Sequence, residues 1–141
     1  MDYDELAIEF IRNMRAVGTA KRKRFIQEGI HGEAVILNFI KDRDGVVPGQ
    51  ISEALGITSA RVAAALNSLE DKGLVTREID SADRRRIIVN LTSKGRKLAE
   101  EQWKRHMEQI RDVLMMLGEQ DAKEYVRILG KLAEILSDKG P

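Results

Sequence analysis

Four consecutive charged residues, Asp83-Arg84-Arg85-Arg86, form the part of this sequence whose side chains could best do chemistry together. Residues 75–97 hold seven Lys or Arg against three Asp or Glu, a balance of +4, although the whole chain carries only +1. Guanidinium groups donate hydrogen bonds in a fixed fork that suits phosphate and carboxylate oxygens. The sequence therefore predicts a local anion-binding surface on an otherwise nearly neutral protein.

The sequence offers no comparable set of catalytic or metal-binding side chains. It has no cysteine, which excludes thiolate chemistry and disulfides, and only two histidines, His31 and His106. It contains neither a glycine-rich phosphate loop nor an HExxH pair. We therefore expect no enzyme activity, no catalytic residue, no metal and no cofactor.

The composition is that of a folded chain without a membrane-spanning segment. Of its 141 residues, 43% are hydrophobic and 33% are charged, which is enough apolar material to bury a core. No apolar run approaches the roughly 20 residues of a membrane helix. The acidic start, MDYDELAIEF, lacks the basic and apolar regions of a signal peptide. We expect no membrane partner and a cytoplasmic location.

Two helices joined by a glycine-containing turn are predicted within residues 49–73, GQISEALGITSARVAAALNSLEDKG. Thr58 or Ser59 is expected to cap the second helix. The residues expected to face inward are Ile51, Ala54, Leu55, Val62, Leu66 and Leu69. The opposite face of the second helix then carries Ala60, Arg61, Ala64, Asn67 and Ser68. These small or hydrogen-bonding side chains would let that helix enter a DNA major groove, but such pairs also serve as plain packing units.

A β-hairpin is predicted directly after this pair. The segments LVTREI and RRIIVNL are rich in β-formers, and the polar residues DSADR lie between them. The arginine-bearing tip would suit a narrow, negatively charged minor groove or backbone phosphates. Strand alternation would point Arg84 and Arg86 away from Arg85. The alternative is a charged edge hairpin that only resists aggregation.

Long helices are predicted on both sides of these elements. The first runs from about Asp4 to Gln27, with Leu6, Phe10, Met14 and Val17 at helical spacing. An apolar helix starts near residue 33, and two more helices span about 93–117 and 119–137. The fold class is mainly α with a small β-hairpin wing. The long helices carry more apolar surface than one small domain can cover, so we expect a homodimer.

The chain resembles the MarR (multiple antibiotic resistance regulator) family of transcription factors. The matching segments are ILNFI, ISEALGITSARVAAALNSLEDKGLVTREID and DRRRIIVNLTSKGR. The last contains Asp-x-Arg, at Asp83 and Arg85, followed by apolar residues and Leu91-Thr92. The resemblance implies a winged helix-turn-helix over 31–92 that binds double-stranded DNA, with dimerisation helices in 1–30 and 93–141.

In that family the second helix of the pair reads the major groove and the wing arginine enters the minor groove. By position, Arg85 would be that arginine and Asp83 would orient it. One departure is that Arg61 is the only full positive charge on the exposed helix face, which shifts weight to the wing and to DNA shape. The complete set of expected DNA-binding residues is Thr58, Ser59, Ala60, Arg61, Ala64, Asn67, Ser68, Asp83, Arg84, Arg85 and Arg86.

The resemblance further implies a repressor, which is the commonest role in the family, and a small-molecule effector that releases it from DNA. A pocket for a small aromatic or phenolic effector would lie where the first, second and fifth helices meet. Met14, His31, Phe39 and Trp103 are its expected lining. The alternative for Trp103 is an ordinary core or dimer contact. The alternative for the whole chain is a helical dimeric interaction module that keeps the fold without sequence-specific DNA binding.

Overall fold

The computed structural model describes residues 2–19 and 32–137. The chain forms two compact units, one up to His106 and one from Met107 onward. The first helix, α1 (Tyr3–Thr19), begins as predicted. Its predicted continuation to Gln27 lies outside the described residues. None of the described helices is long and apolar enough to cross a membrane.

The first unit contains a helix-turn-helix and a hairpin around one core. Besides α1, its elements are α2 (Glu33–Lys41), α3 (Pro48–Leu55), α4 (Ser59–Asp71), β1 (Val75–Ile79), β2 (Ile87–Leu91) and the first part of α5 (Ser93–Leu117). The core is apolar throughout and comprises Ile36, Leu37, Ile40, Val46, Ile51, Val62, Leu66, Leu69, Leu74, Val75, Val89 and Ala99. The predicted winged-helix fold class is confirmed.

One residue of the predicted inward face is exposed. Ile51 is buried and Leu55 is half-buried against the core, but Ala54 faces solvent. Because α3 has only about two turns, the strip it buries is narrow and follows residues four apart. The prediction that Ala54 faces inward was therefore wrong.

The hairpin is antiparallel, with Val75 opposite Leu91 and Ile79 opposite Ile87. An isolated bridge between Val46 and Val89 adds a third segment at its base. Just before that bridge, Gly45 has φ +81°, and a Cβ there would meet the Ile88 Cγ2 atom at 2.8 Å. A side chain at position 45 would thus be strained in its backbone and would push against β2.

Helix α5 (Ser93–Leu117) starts beside the turn that follows α4. Thr92 Oγ1 donates to the Gly73 carbonyl at 2.7 Å and accepts from the Gly95 amide at 3.0 Å, so Thr92 joins the hairpin base to the helix start. Gly95 is buried, and a Cβ at this position would overlap the Leu74 carbonyl oxygen. This close approach explains a glycine in the first turn of a helix.

The second unit consists of the end of α5 and of α6 (Glu119–Ser137), which meet at Gly118 with φ +85°. The positive φ allows the chain to turn sharply between the two helices. All of the large apolar side chains of α6 are exposed: Tyr125, Val126, Ile128, Leu129, Leu132, Ile135 and Leu136. Helix bounds 93–117 and 119–137 match those expected from the sequence.

Candidate nucleic-acid interface

The start of α4 is fixed by its own cap. The Thr58 hydroxyl accepts from the Arg61 amide at 3.2 Å, so Thr58 rather than Ser59 is the capping residue. Val62, Leu66 and Leu69 bury one face of the helix in the core. The opposite face is thereby turned to solvent, and it presents Ser59, Ala60, Arg61, Ala64 and Asn67. These side chains and the first-turn backbone amides could contact a groove and its phosphates.

Ser68 departs from the predicted exposed face. It is half-buried, and its hydroxyl hydrogen-bonds to Glu33 at the start of α2. Lys72 also donates to Glu33 at 2.7 Å. The bond from Lys72 and then that from Ser68 hold the pKa of Glu33 below its ordinary value. Because Ser68 lies at the edge of the buried face of α4, its side chain links α4 to α2.

The wing tip is a hydrogen-bonded turn. The Arg86 amide donates to the Asp83 carbonyl at 2.9 Å, and the Asp80 amide donates to the Arg86 carbonyl at 2.9 Å. Strand β2 begins only at Ile87. The prediction that strand alternation separates Arg84 and Arg86 from Arg85 was therefore wrong, because all three lie in the loop before the strand. All three side chains are exposed.

Arg85 is held in place by Asp83. The Asp83 Oδ1 atom accepts from the Arg85 amide at 3.0 Å and from Arg85 Nε at 3.3 Å. The Arg85 side chain is nevertheless 92% exposed. Its guanidinium is therefore oriented by a carboxylate while its remaining donors point into solvent, as a group poised to meet an anion would be.

Sequence reasoning missed the ion pair at the base of the wing. Arg77 of β1 donates from Nε and Nη2 to both carboxylate oxygens of Glu70, at 3.2 and 3.1 Å. These bonds lower the pKa of Glu70 and raise that of Arg77. A basic residue at a strand position on the same face as buried Val75 was the signal that could have revealed it.

The structure describes three of the four residues expected to line an effector pocket. Trp103 is 44% exposed and lines a small cavity of about 100 Å³ between α2 and the first half of α5. Phe39 does not line that cavity, and its ring lies 3.8 Å from the Arg43 guanidinium. Met14 lies on α1 with 57% of its surface exposed. His31 lies outside the described residues.

Three polar atoms in the wall of the Trp103 cavity find no hydrogen-bond partner among the described residues. They are Asn38 Oδ1, Gln102 Oε1 and His106 Nδ1, and all three are shielded from solvent. Buried polar atoms are usually hydrogen-bonded, so these three make the cavity polar enough to accept a hydrogen-bonding molecule. Trp103 was expected at an effector pocket from the sequence, but no sequence pattern indicated that Asn38, Gln102 and His106 would lie beside it. Among the described residues, no cluster of His, Asp or Glu is placed to hold a metal.

Comparison with known proteins gives a consistent picture. The model of the MarR family matches residues 31–86. The transcriptional regulator HosA of Escherichia coli O157:H7 is 32% identical over 92 residues, which cover 65% of this chain and 68% of HosA. The HTH-type transcriptional repressor YetL of Bacillus subtilis is 27% identical over 114 residues, which cover 81% of this chain and 68% of YetL.

A solved structure extends the similarity beyond the winged helix. The DNA complex of S. aureus MepR is 26% identical and has a TM-score of 0.65. The superposition covers 96% of this chain and 99% of the MepR chain. The similarity therefore extends over the helical regions on both sides of the winged helix.

Proposed function

Because this chain belongs to the MarR family, we propose that it is a DNA-binding transcriptional regulator that acts on an inverted-repeat operator as a homodimer. The observation that carries the proposal is the pair formed by an exposed α4 face and a solvated Arg85 whose guanidinium Asp83 orients. Helix α4 enters the major groove with Arg61, Ala64 and Asn67 toward base edges. Arg85 enters the minor groove, and Arg84 and Arg86 contact phosphates.

The homodimer is supported by apolar surface that a single copy leaves uncovered. Helix α1 exposes Leu6, Phe10, Met14 and Val17, and α6 exposes seven large apolar side chains. Contiguous apolar patches of this kind are rare on soluble monomers. We assign dimerisation to residues 1–30 and 93–141 and DNA binding to 31–92. A twofold dimer requires half-sites related by inversion, about one helical turn apart.

Selection of bound fragments from a random DNA library by the purified protein tests this proposal. The expected product is an inverted repeat, with affinity that falls steeply as salt rises, because phosphate neutralisation releases counterions. An enriched asymmetric half-site would contradict the dimeric arrangement. Failure to enrich any sequence, with only weak binding at low salt, would instead favour a dimeric interaction module without specific DNA recognition.

We propose further that the protein is a repressor, that it works in the cytoplasm and that it has no catalytic activity. The named function of YetL supports the first point, and the absence of catalytic motifs in the sequence supports the last. A reporter gene placed behind the selected operator should be silenced by the protein. Increased reporter expression would indicate an activator.

An effector site is proposed at the cavity beside Trp103, rather than at the wider set of residues expected from the sequence. A small phenol could donate its hydroxyl to an amide oxygen of Asn38 or Gln102 and lay its ring near the indole. Trp103 is the only tryptophan in the chain, so its fluorescence reports this site alone. Titration with phenolic compounds should change the emission and weaken operator binding together. Unchanged emission across such a set would refute the assignment.

A further inference from the structure

The base of the wing is fastened to the last turn of α4 by a two-point contact. Arg77 Nε lies 3.2 Å from Glu70 Oε2, and Arg77 Nη2 lies 3.1 Å from Glu70 Oε1. Two parallel bonds fix the orientation of the guanidinium plane as well as its distance. The pair therefore constrains the angle between the recognition helix and strand β1.

The strand register places Arg77 where an apolar side chain would otherwise continue the core. Val75 and Arg77 share one face of β1, and Arg77 lies opposite the fully buried Val89. Two residues further along, Ile79 is exposed. Arg77 therefore sits at the point where the hairpin leaves the body of the domain, and its ion pair is well placed to resist bending there.

Because the wing is long, a small change in its angle at Arg77 produces a large displacement of its tip. Beyond Arg77 the ribbon continues through Ile79 and Ile87 to the loop that carries Arg85. At about 3.3 Å per residue, the tip lies roughly 10–15 Å from Arg77. A tilt of about 10° at the base would move the tip by ~2 Å over that length. The minor groove is only about 6 Å wide, so such a shift would spoil insertion.

From charge alone, Glu70 would be expected to weaken DNA binding, because a carboxylate on a DNA-binding helix repels phosphates. Exposed ion pairs also contribute little to folding stability. The Arg77 and Glu70 side chains are 28% and 41% exposed, so a large effect on stability is not expected. A role in setting geometry is the one that fits both the two-point contact and its position.

We propose that the Arg77–Glu70 pair positions the wing relative to the recognition helix, so that the major-groove and minor-groove contacts are made in one register. Both are positioning residues that act through Arg85 and through α4. The inference rests on the proposed DNA-binding function.

Substitution of Glu70 by Gln tests the proposal through the sign of its effect. Removing a negative charge should tighten DNA binding if electrostatics dominate. We expect Glu70→Gln to bind the selected operator about 3–10-fold more weakly, since part of the contribution of Arg85 is lost, while binding to unrelated DNA stays equal or becomes tighter. Operator binding equal to or tighter than that of the parent would overturn the proposal.

Arg77→Lys separates geometry from charge, because lysine keeps the charge but lacks the planar fork. We expect hydroxyl-radical protection of the minor groove at the wing position to fade, while protection of guanine N7 in the major groove persists. In this background Arg85→Ala should also cost less affinity than it costs the parent, because the wing is already misplaced. Undiminished wing protection together with an undiminished Arg85→Ala effect would contradict the proposal.

The matched control is Glu124→Gln, which removes an exposed carboxylate that pairs with Arg127 on α6, as Glu70 pairs with Arg77. It should leave the operator footprint unchanged. Circular dichroism and urea unfolding of each variant verify that the fold is intact. If the parent itself fails to bind a selected operator, the proposed function fails. If the parent binds and Glu70→Gln does not weaken it, only the positioning role fails.

Discussion

Arg85 is almost fully solvated, yet its orientation is restrained because Asp83 accepts from both its amide and its Nε. The same carboxylate organises the turn, so the residue that orients the arginine also shapes the loop that presents it. This local pairing could be predicted from the sequence, since the two residues lie only two positions apart. For the Arg77–Glu70 pair the sequence holds only an indirect signal, a basic residue on the same strand face as buried Val75, because the choice of Glu70 as partner depends on the angle at which β1 leaves α4.

Arg85→Ala should weaken operator binding by about one to two orders of magnitude, because a lost charged hydrogen bond costs roughly 1.5–3 kcal/mol and about 1.4 kcal/mol is tenfold. The fold and the dimer should survive, since the tip contributes nothing to the core. Equilibrium binding at physiological salt measures the effect. Arg61→Ala provides the contrast, because it should alter mainly sequence preference. Parent-like affinity of Arg85→Ala would show that the wing assignment is wrong.

At the scale of elements, strong local sequence signals were sufficient to predict most of the helices and strands. Gly56, Gly73 and Gly118 end helices at positive φ, and the apolar spacing of α4 correctly predicted its buried side. The failures have a common cause. Ala54 and Ser68 lie at the border of a buried helix face, where the neighbouring element decides burial. Arg86 lies outside β2, which starts at Ile87, two residues later than the composition of RRIIVNL indicates. Periodicity along one segment carries no information about that neighbour.

Gly95 offers a test of how closely α5 must approach the hairpin base. Gly95→Ala would place a methyl group against the Leu74 carbonyl, which is backbone and cannot move aside without displacing the strand. Overpacking of this kind typically costs about 1–3 kcal/mol of unfolding free energy. Gly49→Ala is the matched control, since its added methyl would meet no described atom within 4 Å beyond its chain neighbours and its own helix backbone. Urea unfolding should separate the two variants, and equal midpoints would mean that the helix start is free to shift.

At the scale of the whole molecule, large apolar side chains lie in two settings, a buried core and exposed helix faces. The core of the first unit is closed, whereas α1, the end of α5 and α6 leave their large apolar side chains in solvent. In the second unit, an apolar groove of about 560 Å³ runs between the two helices and is lined by Met107, Ile110, Leu114 and Ala122 among others. A second copy of the chain would cover such surfaces, and it would also set the spacing of two recognition helices. The same dimer contact would therefore cover the apolar surface and determine the symmetry of the operator.

Leu132→Glu should break the dimer, because it places a charge on the apolar face of α6, where Leu132 is 49% exposed in the single chain. Burying an unpaired carboxylate in an interface costs several kcal/mol, so the variant should sediment as a 15.9 kDa species at micromolar concentration, whereas the parent sediments at twice that mass. Operator affinity should fall with it, since one winged helix alone engages only one half-site. Lys131→Glu adds an acidic residue at an adjacent position, outside the exposed apolar set, and should remain dimeric. If the parent itself is a stable, folded monomer at that concentration, the dimer and the inverted-repeat operator both fail, and the exposed face of α6 must have a different partner.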